Sequence, residues 1–408
     1  MIFIAQQLLF AYCMIRDENG SIPALVIGVN TDRRAAERDE ASLEELHLLA
    51  ETAGFDPKAK HLYRKDRIDP ANYLGVGKAR DIKRIVNENY LKAVIFDFEL
   101  TPVQIRNLKE IIRQRIVSRT ELILDIFAKR ARTKEAKLQV ELATLIYSLP
   151  RLRHMWPHLG RIAGGIGTKG PGEKQIEMDK RRIRKRITKI KQELVSVKNH
   201  RMTIRKNQKS KFKAALVGYT NAGKSSLLNT LSHSSLFTEN RLFATLDPAT
   251  REVWLGDGAT MLMTDTVGFI KRLPPTLIAS FRATLEEVKE SNLLLHVVDI
   301  ANSDTIERID AVNTVLEEIG ADELPVLYVF NKIDMLKRRD TKALLLNRYR
   351  NSVLVSAKTK EGIDTLKREL FLYYRESMSQ PAQRRLNSES APLHSKEMSP
   401  VIGDIIRP

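Results

Sequence analysis

The chain has 408 residues and a net charge of +18, with 43% hydrophobic and 29% charged residues. This length predicts two or three domains with hydrophobic cores, and the composition is that of a soluble globular protein. The single cysteine, Cys13, excludes a disulfide framework within the chain and a zinc site built on several cysteines. The basic excess favours a polyanionic partner, either nucleic acid or an anionic membrane surface.

The apolar N-terminus, MIFIAQQLLFAYCMI, lacks a basic flank and is too short to cross a bilayer. A buried first strand is one interpretation. Translation from Met14 is another, which the intact mass of the native protein would test. We expect a cytoplasmic monomer with no stable membrane insertion, and peripheral association with an anionic membrane stays open.

Two buried strands with two helical segments between them predict an N-terminal α/β subdomain. The segments ALVIGV (24–29) and AVIFDF (93–98) are continuous, β-branched apolar runs. Between them, Ser42 and Glu45 have the spacing of a helix capping box, and Gly54 is placed to end that helix. The alternation of strands and helices predicts a mostly parallel sheet.

Two apolar seams follow and predict an antiparallel helical hairpin. In each segment, apolar side chains recur every three or four residues. The first seam consists of Leu138, Leu142, Leu145, Leu149 and Leu152, and the second of Ile183, Ile187, Ile190, Leu194 and Val197. The linker between them contains six glycines and Pro171, so the two arms should fold back on each other around a glycine-rich tip.

The second arm of the hairpin carries most of the net charge. Residues 174–213 contain ten lysines and six arginines against three acidic residues, which is +13 of the +18. Such an unbalanced run beside a glycine-rich tip favours binding to a phosphate backbone, most plausibly RNA, over a merely solvated face. Aromatic residues are almost absent from it, which argues against stacking on single-stranded bases.

The segment KFKAALVGYTNAGKSS (211–226) has the G-x-x-x-x-G-K-[ST] spacing of a phosphate-binding loop between a strand and a helix. Glycines allow backbone N–H groups to surround a polyphosphate. Lys224 can supply a positive charge to the β- and γ-phosphates, and the Ser225 hydroxyl can ligate Mg²⁺.

Three further motifs follow, each at the predicted carboxyl end of a strand. In MLMTDTVGF, Asp265 could hold Mg²⁺ through water, and the Gly268 N–H could contact a γ-phosphate. In NKID, the Asp334 carboxylate can accept two N–H groups that guanine has and adenine lacks. In SAK (356–358), backbone N–H groups can meet the guanine carbonyl. Four motifs in this order predict a GTP-binding domain.

A threonine after the first helix of this domain should complete the Mg²⁺ shell. Thr245 in LFATLD and Thr250 in PATRE both qualify by position, and residue chemistry alone does not choose between them.

These motifs, with GGIGTKGPGEKQIEMDKRR before them, resemble the HflX family of ribosome-associated GTPases over roughly residues 23–374. The resemblance implies an α/β subdomain, a helical hairpin that reaches RNA of the large ribosomal subunit, and a P-loop GTPase domain. It favours Thr245 as the Mg²⁺ ligand, because FATLD matches the family letter for letter. It also implies a protein that separates or rescues stalled or idle ribosomes under stress.

We accordingly predict four parts of the chain. They are an N-terminal α/β subdomain (1–125), a basic hairpin (126–212) with its glycine-rich tip at 160–172, a GTPase domain (213–374) and a disordered tail (375–408). Some family members carry a further folded C-terminal domain, so any function of that domain is not transferred.

The predicted cofactors are GTP or GDP and Mg²⁺. The predicted nucleotide-binding residues are Gly218, Tyr219, Thr220, Asn221, Ala222, Gly223, Lys224, Ser225, Phe243, Ala244, Thr245, Leu246, Asp247, Asp265, Thr266, Val267, Gly268, Asn331, Lys332, Ile333, Asp334, Ser356, Ala357 and Lys358. Of these, Ser225 and Thr245 are the predicted direct metal ligands, and Lys224, Thr245 and Gly268 are the predicted catalytic residues.

Phe269 stands where many GTPases have a glutamine that orients the attacking water. We therefore expect slow intrinsic hydrolysis that the ribosome raises. Asn221 resembles the asparagine of potassium-stimulated relatives, which makes K⁺ dependence a further hypothesis. The alternative function, of a different class, is a GTP-regulated scaffold or membrane-surface switch that hardly hydrolyses.

Overall fold

The computed structural model describes residues 20–30, 36–64, 67–152, 171–205, 211–232, 242–243, 246–271, 287–302, 304–336 and 339–379. Its strands are β1 (Ile22–Asn30), β2 (Phe55–Arg64), β3 (Ala93–Phe96), β4 (Arg115–Ser118), β5 (Lys213–Gly218), β6 (Ala249–Gly256), β7 (Ala259–Asp265), β8 (Leu293–Asp299), β9 (Val326–Asn331) and β10 (Ser352–Leu354). Its helices are α1 (Ala36–Ala53), α2 (Val76–Glu88), α3 (Pro102–Ile112), α4 (Arg119–Arg130), α5 (Lys134–Ser148), α6 (Pro171–Arg205), α7 (Lys224–Ser232), α8 (Thr305–Ile319), α9 (Arg339–Arg348) and α10 (Ile363–Ser379), with short 3-10 turns at Leu149–Arg151 and Ile333–Met335.

The first sheet has four parallel strands in the order β2-β1-β3-β4. Its central strands, β1 and β3, contain the two predicted apolar runs. Alternate side chains of β1 enter different cores, with Leu25 packing beside Ile82 of α2 and Val26 beside Leu46 of α1. Helices therefore cover both faces, and the predicted parallel α/β architecture is confirmed.

The strand β2 is not predicted by the apolar pattern. It is largely polar, contains Pro57, and after the buried Phe55 all of its side chains are partly buried or exposed. Its register with β1 shifts by one residue just after Pro57, because Ala24 pairs with Pro57 and Leu25 with Ala59. A strand with a proline and an irregular register is tolerated here because β2 lies at the sheet edge.

The predicted capping box at Ser42 and Glu45 is wrong. The helix α1 begins at Ala36, so both residues lie inside it. The Ser42 hydroxyl donates to Asp97 at 2.6 Å, and Glu45 pairs with Arg119. Both side chains are buried, and their spacing of three residues puts them on one helix face that contacts other elements.

The helices α5 and α6 pack through the predicted seams, which confirms the hairpin. The buried members of the shared cluster are Leu138, Leu142, Leu145, Leu152, Ile183 and Ile190. The Arg186 guanidinium also donates to both carboxylate oxygens of Glu141, at 2.7 Å each. With 35 residues, α6 is roughly 50 Å long at 1.5 Å per residue. Most of the predicted glycine-rich tip, residues 160–170, lies outside the described residues.

The second sheet has six strands in the order β10-β9-β8-β5-β7-β6, all parallel except for β6, which runs antiparallel to β7. Leu227 of α7 and Leu366 of α10 pack on one face, and Val312 and Leu316 of α8 pack on the other. The predicted P-loop domain architecture is confirmed. None of the helices within the described ranges is long and apolar enough to span a membrane.

One hydrophobic cluster continues from the first sheet into the second. It includes Leu49 and Phe127 from the N-terminal part, together with Val217 and Val312 from the GTPase part. The division into domains stays a prediction, and α4 spans the predicted border between residues 125 and 126. Contacts across this shared core can therefore position residues of the nucleotide site.

Candidate functional site

The phosphate-binding loop joins β5 to α7, and two of its glycines are required by close packing. Gly218 and Gly223 have φ angles of +148° and +95°. A Cβ at Gly218 would collide with the carbonyl oxygen of Val297, and one at Gly223 with the side-chain amide of Asn331. Only glycine fits where the loop passes so close to β8 and to the end of β9.

Lys224, the first residue of α7, is buried in the loop. Its ammonium group donates to the backbone carbonyls of Gly218 at 3.0 Å and of Tyr219 at 2.9 Å. Burial lowers the pKa of Lys224 to about 8, although the Asp265 carboxylate nearby opposes that shift. The loop carbonyls thus fix a cation at the point where the sequence predicts phosphate.

Ser225 and Asp265, two of the three residues predicted to hold Mg²⁺, lie next to each other. The Ser225 hydroxyl donates to the Asp265 carboxylate at 2.5 Å, and Asp265 is fully buried at the end of β7. A hydroxyl beside a carboxylate is a set of hard oxygen donors, which fits Mg²⁺. Thr245 and Ala244 lie outside the described residues. Thr250, the other candidate threonine, lies on β6 with its hydroxyl 2.9 Å from that of Thr264.

The segment after Asp265 is attached to the phosphate-binding loop. Thr266 is buried and its hydroxyl donates to the Leu216 carbonyl at 2.6 Å. A Cβ built on Gly268 would lie 2.8 Å from Thr220 and 3.0 Å from the Lys224 ammonium. Gly268 therefore lies against the loop beside the buried lysine.

Phe269 continues this attachment through its backbone. Its N–H donates to the Gly218 carbonyl at 3.1 Å, and its carbonyl accepts from the Thr220 N–H at 2.7 Å. The Phe269 ring is 4% exposed and packs in the core shared by the two sheets, as does the preceding Val267. A buried phenyl ring at this position offers no hydrogen-bonding group to a water molecule.

Asn331 connects the phosphate-binding loop with the SAK loop. Its side-chain amide donates to the Ala222 carbonyl at 2.9 Å, and its side-chain oxygen accepts from the Ala357 N–H at 3.0 Å. Asn331 is only 2% exposed. It thus ties the phosphate-binding loop to the SAK loop, and the Ala357 N–H predicted to meet guanine is engaged by Asn331 in this structure.

Asp334 lies in the 3-10 turn Ile333–Met335, between β9 and α9, and contacts the SAK loop. One of its carboxylate oxygens accepts from the Ser356 hydroxyl at 2.7 Å, while the side chain is exposed. Lys332 adopts a left-handed conformation, with φ of +66°, and pairs with Asp299 at 2.7 Å. The side chain of Ile333 is buried, whereas that of Lys358 is exposed. This arrangement fixes the Asp334 carboxylate at the edge of the site.

The described residues of the FATLD motif contact the N-terminal part of the chain. Phe243 packs edge-to-face on Phe127 of α4, with 4.7 Å between ring centroids, and Leu246 is buried in the same cluster. Asp247 accepts from the hydroxyl of Thr133 at 2.5 Å, at the start of α5. Nucleotide contacts of these three residues stay a prediction.

A buried polar cluster beside the site was missed by the sequence analysis. It joins Arg119, Glu45 and Asp97 of the N-terminal part to Tyr219 of the phosphate-binding loop and to Lys271. The available signal was Glu45 itself, an acidic residue on the buried face of α1, but its spacing from Ser42 suggested a cap instead.

Three family models match consecutive parts of the chain. They are described as "GTP-binding GTPase N-terminal" (residues 40–128), "GTP-binding GTPase Middle Region" (residues 130–208) and "50S ribosome-binding GTPase" (residues 213–332). The first matched region extends from α1 into α4, the second covers most of the hairpin, and the third extends from β5 to Lys332 and so includes the phosphate-binding loop but ends before Asp334 and the SAK loop.

The chain is also similar to proteins named GTPase HflX. That of Flavobacterium psychrophilum is 41% identical over 373 residues, which covers 86% of this chain and 90% of the relative. The chain belongs to the HflX family of GTPases. The HflX protein of Escherichia coli is 44% identical over 336 residues, covering 81% of this chain and 78% of the relative. The resemblance inferred from the motifs is therefore confirmed, and the family activity is the binding and hydrolysis of GTP.

Among solved structures, the chain is similar to a GTP-binding protein from the hyperthermophilic archaeon Sulfolobus solfataricus in complex with GDP. The two are 24% identical, with a TM-score of 0.47, and the match covers 87% of this chain and 99% of the archaeal chain.

Proposed function

We propose that this HflX-family GTPase uses Mg²⁺ and GTP to control the binding of its basic hairpin to the large ribosomal subunit, and that it thereby separates or rescues stalled or idle ribosomes under stress. The observation that carries the proposal is the combination, in one chain, of a guanine-type nucleotide site with a long helix that presents basic residues to solvent. The match to the model described as "50S ribosome-binding GTPase" supports the choice of partner. We further infer a cytoplasmic monomer.

The basic face of α6 supports an RNA partner. Ile183 and Ile190 of α6 are buried against α5, whereas the neighbouring basic side chains point away from the seam. The exposed ones include Arg181, Arg182, Arg184, Lys185, Lys189 and Lys191. Lysine and arginine on one exposed helix face suit contact with a phosphate backbone, and such contacts weaken as salt concentration rises.

In the proposed mechanism, backbone N–H groups of the loop 218–225 bind the β- and γ-phosphates, with Lys224 as the buried cation. Ser225 and Thr245 would hold Mg²⁺ directly and Asp265 through water. When bound, Mg²⁺ neutralises charge that develops on the phosphate oxygens. The Gly268 N–H would contact the γ-phosphate, which GTP has and GDP lacks. Asp334 selects guanine.

Hydrolysis in this proposal is slow for the isolated protein. The buried Phe269 ring supplies no group that orients the attacking water. None of the proposed catalytic residues, Lys224, Thr245 and Gly268, is a general base that could take over this role. K⁺ is a further proposed cofactor at Asn221, which is exposed and has a left-handed φ of +60°. Faster hydrolysis in KCl than in NaCl at equal ionic strength would support K⁺, and equal rates would remove it.

The proposal is tested by sedimentation of ribosomal subunits on sucrose gradients with GTP, a non-hydrolysable GTP analogue, or GDP. We expect the protein to migrate with large subunits in the analogue and to be released with GDP. We also expect a fraction of whole ribosomes to separate into subunits. Binding to vesicles of anionic lipid without affinity for ribosomes would favour the membrane-surface alternative.

Charge reversal on the hairpin identifies the binding surface. The triple variant Arg184→Glu, Lys185→Glu and Lys189→Glu should lose co-sedimentation while its GTP affinity stays unchanged. A matched control reverses three exposed arginines on other elements, Arg80, Arg348 and Arg368, with the same change in net charge. Equal loss of binding in both variants would mean that overall charge, not α6, carries the interaction.

A further inference from the structure

The backbone of Lys271, three residues beyond Gly268, is held by two side chains. Its N–H donates to the Tyr219 hydroxyl at 2.7 Å, and its carbonyl accepts from the Arg119 guanidinium at 3.2 Å. Its own ammonium group pairs with Asp304 at the start of α8, at 2.8 Å. Side chains from three separate parts of the chain thus fix the peptide groups and the side chain of one residue.

One of these three contacts, that of Arg119, begins outside the GTPase domain. The Arg119 side chain is 3% exposed and pairs with Asp97 at 2.6 Å and with Glu45. Glu45, on α1, also accepts from the Tyr219 hydroxyl. The carboxyl edge of the first sheet and the buried face of α1 are therefore connected by hydrogen bonds to the phosphate-binding loop and to Lys271.

The Tyr219 hydroxyl is the central member of this network. It donates to Glu45 and accepts from the Lys271 N–H, so both of its hydrogen-bonding functions are used. Burial raises the pKa of Tyr219 to about 12, which keeps its proton available for donation. The Arg308 guanidinium lies 4.7 Å from the centroid of the Tyr219 ring and further restricts the ring.

The position of Lys271 matters because the segment 268–271 also contains Gly268 and Phe269. Phe269 pairs with Gly218 and Thr220 through its backbone, but its side chain has no group for water. Catalysis must therefore depend on backbone groups of this segment more than in a GTPase with glutamine here. Such groups contribute only while the segment is held in the productive geometry.

We propose that Tyr219, Glu45 and Arg119 are positioning residues for GTP hydrolysis, which act through Lys271 to place the segment 268–271 against the phosphate-binding loop. The inference rests on the proposed nucleotide site. It makes the N-terminal subdomain a contributor to the rate of hydrolysis, although Glu45 and Arg119 belong to none of the nucleotide motifs.

Two isosteric variants test the proposal in the full-length protein. Tyr219→Phe removes the hydroxyl and keeps the ring. Glu45→Gln keeps the shape of the side chain but removes its negative charge and replaces one of the two acceptor oxygens with an NH₂ group. We expect each to lower kcat about three- to tenfold, the effect of losing one hydrogen bond, while the Kd for GDP stays within twofold. The double variant should be no slower than Tyr219→Phe alone, because both changes break one network.

A matched control removes another buried hydroxyl from the N-terminal part. Tyr147 in α5 lies 2.8 Å from the Ser118 hydroxyl and does not contact Lys271, so Tyr147→Phe should leave kcat unchanged. Thermal unfolding and GDP affinity show whether each variant is folded. If kcat of folded Tyr219→Phe and Glu45→Gln equals or exceeds that of the wild type, the positioning role is wrong. An equal fall in Tyr147→Phe would also contradict it.

The wild-type protein separates this outcome from a failure of the proposed function. If the wild type does not bind guanine nucleotides, or hydrolyses no GTP, the nucleotide site itself is wrong. If it does both and the variants match it, only the positioning role fails.

Discussion

At the scale of single residues, the proposed base site contains two side chains with different surroundings, Asn331 and Asp334. Asn331 is buried and uses its amide group to connect Ala222 with Ala357. Asp334 is exposed and receives one hydrogen bond, from Ser356. Asn331 therefore connects the two loops, whereas the exposed Asp334 is the residue proposed to recognise guanine.

Replacement of Asp334 should separate recognition from structure. We expect Asp334→Asn to weaken GTP binding about 10²- to 10⁴-fold, because the amide presents one acceptor where guanine offers two N–H donors. Fluorescence titration with a labelled guanine nucleotide measures the change. Asp322→Asn, at an exposed position after α8, is the matched control and should bind normally. Undiminished GTP affinity in Asp334→Asn would remove this residue from the base site.

His296 is a buried residue with no assigned role. It lies in β8, is 0% exposed, and neither of its ring nitrogens has a hydrogen-bond partner within the described part of the chain. Burial, together with the nearby charge of Lys224, lowers the pKa of His296 to about 3. The imidazole is therefore neutral in the folded protein at physiological pH and costs stability as an unsatisfied polar group.

We expect His296→Leu to raise the free energy of unfolding by about 1–3 kcal/mol at pH 7. The gain should grow as pH falls below the ordinary histidine pKa of 6.5, because the unfolded wild type then binds a proton that the folded state does not. The limit is about 1.4 kcal/mol per pH unit. Denaturant unfolding of both proteins at pH 7, 6 and 5 measures the difference directly.

A direct comparison at each pH is needed because Glu121 titrates with the opposite sign. Burial raises the pKa of Glu121 to about 7, so its contribution increases stability as pH falls through that value. His61→Gln, at an exposed histidine of β2, is the control for the loss of one imidazole group. A constant difference between His296→Leu and wild type from pH 7 to 5 would contradict the assignment.

At the scale of helices and strands, local patterns predict the elements that form their own apolar surface. The seams of α5 and α6 and the runs in β1 and β3 could be recognised because periodicity and β-branched residues are local properties. The edge strand β2 could not, because its polar sequence is stabilised only by pairing with β1. Glu45 was misassigned for a similar reason, since its partners Arg119 and Tyr219 are 74 and 174 residues away.

The start of α5 is an element whose stability depends on a distant motif. The Thr133 hydroxyl accepts from the Ala136 N–H at 3.1 Å and donates to Asp247. Asp247 also accepts from the Arg132 N–H at 3.0 Å. A residue of the FATLD motif thus extends the cap of the first hairpin helix.

We expect Thr133→Val to lower the free energy of unfolding by about 0.5–2 kcal/mol, because the helix loses its N-cap hydroxyl. Thr133→Ser keeps a hydroxyl and should restore most of the loss. Thr144→Val, in the middle of the same helix, removes a hydroxyl that donates to the Val140 carbonyl and is the matched control. Chemical denaturation measures stability, and hydrogen exchange at residues 134–138 locates it. Equal stability of Thr133→Val and wild type would show that the cap contributes nothing.

At the scale of the whole molecule, the motifs of the nucleotide site were predictable and their surroundings were not. Lys224, Asp265 and Asn331 belong to three motifs that occur in the expected order, and each motif has a characteristic internal spacing. The core that joins Phe127 to Val217 arises only when distant segments pack, and no local pattern encodes it. That shared core allows the hairpin, the N-terminal sheet and the nucleotide site to influence one another.

This arrangement predicts that large ribosomal subunits accelerate hydrolysis. Phe269 gives the isolated protein no side chain that orients water, so a partner that binds α6 can raise the rate by supplying a group or by fixing the segment 268–271. We expect kcat to rise at least about tenfold, equivalent to roughly 1.4 kcal/mol in the barrier. Phosphate release is measured with purified large subunits, with small subunits, and without ribosomes.

The charge-reversed hairpin variant distinguishes a specific effect from contamination by ribosomal GTPases. Its intrinsic rate should equal that of the wild type, since none of its three substitutions touches the nucleotide site, but large subunits should not stimulate it. Stimulation should also decline as salt concentration rises, because contacts with the phosphate backbone release counterions. Equal turnover with and without large subunits at low salt would exclude the ribosome as the activator. Together with the phenylalanine at position 269, that result would favour the alternative function, a GTP-regulated switch that hardly hydrolyses GTP.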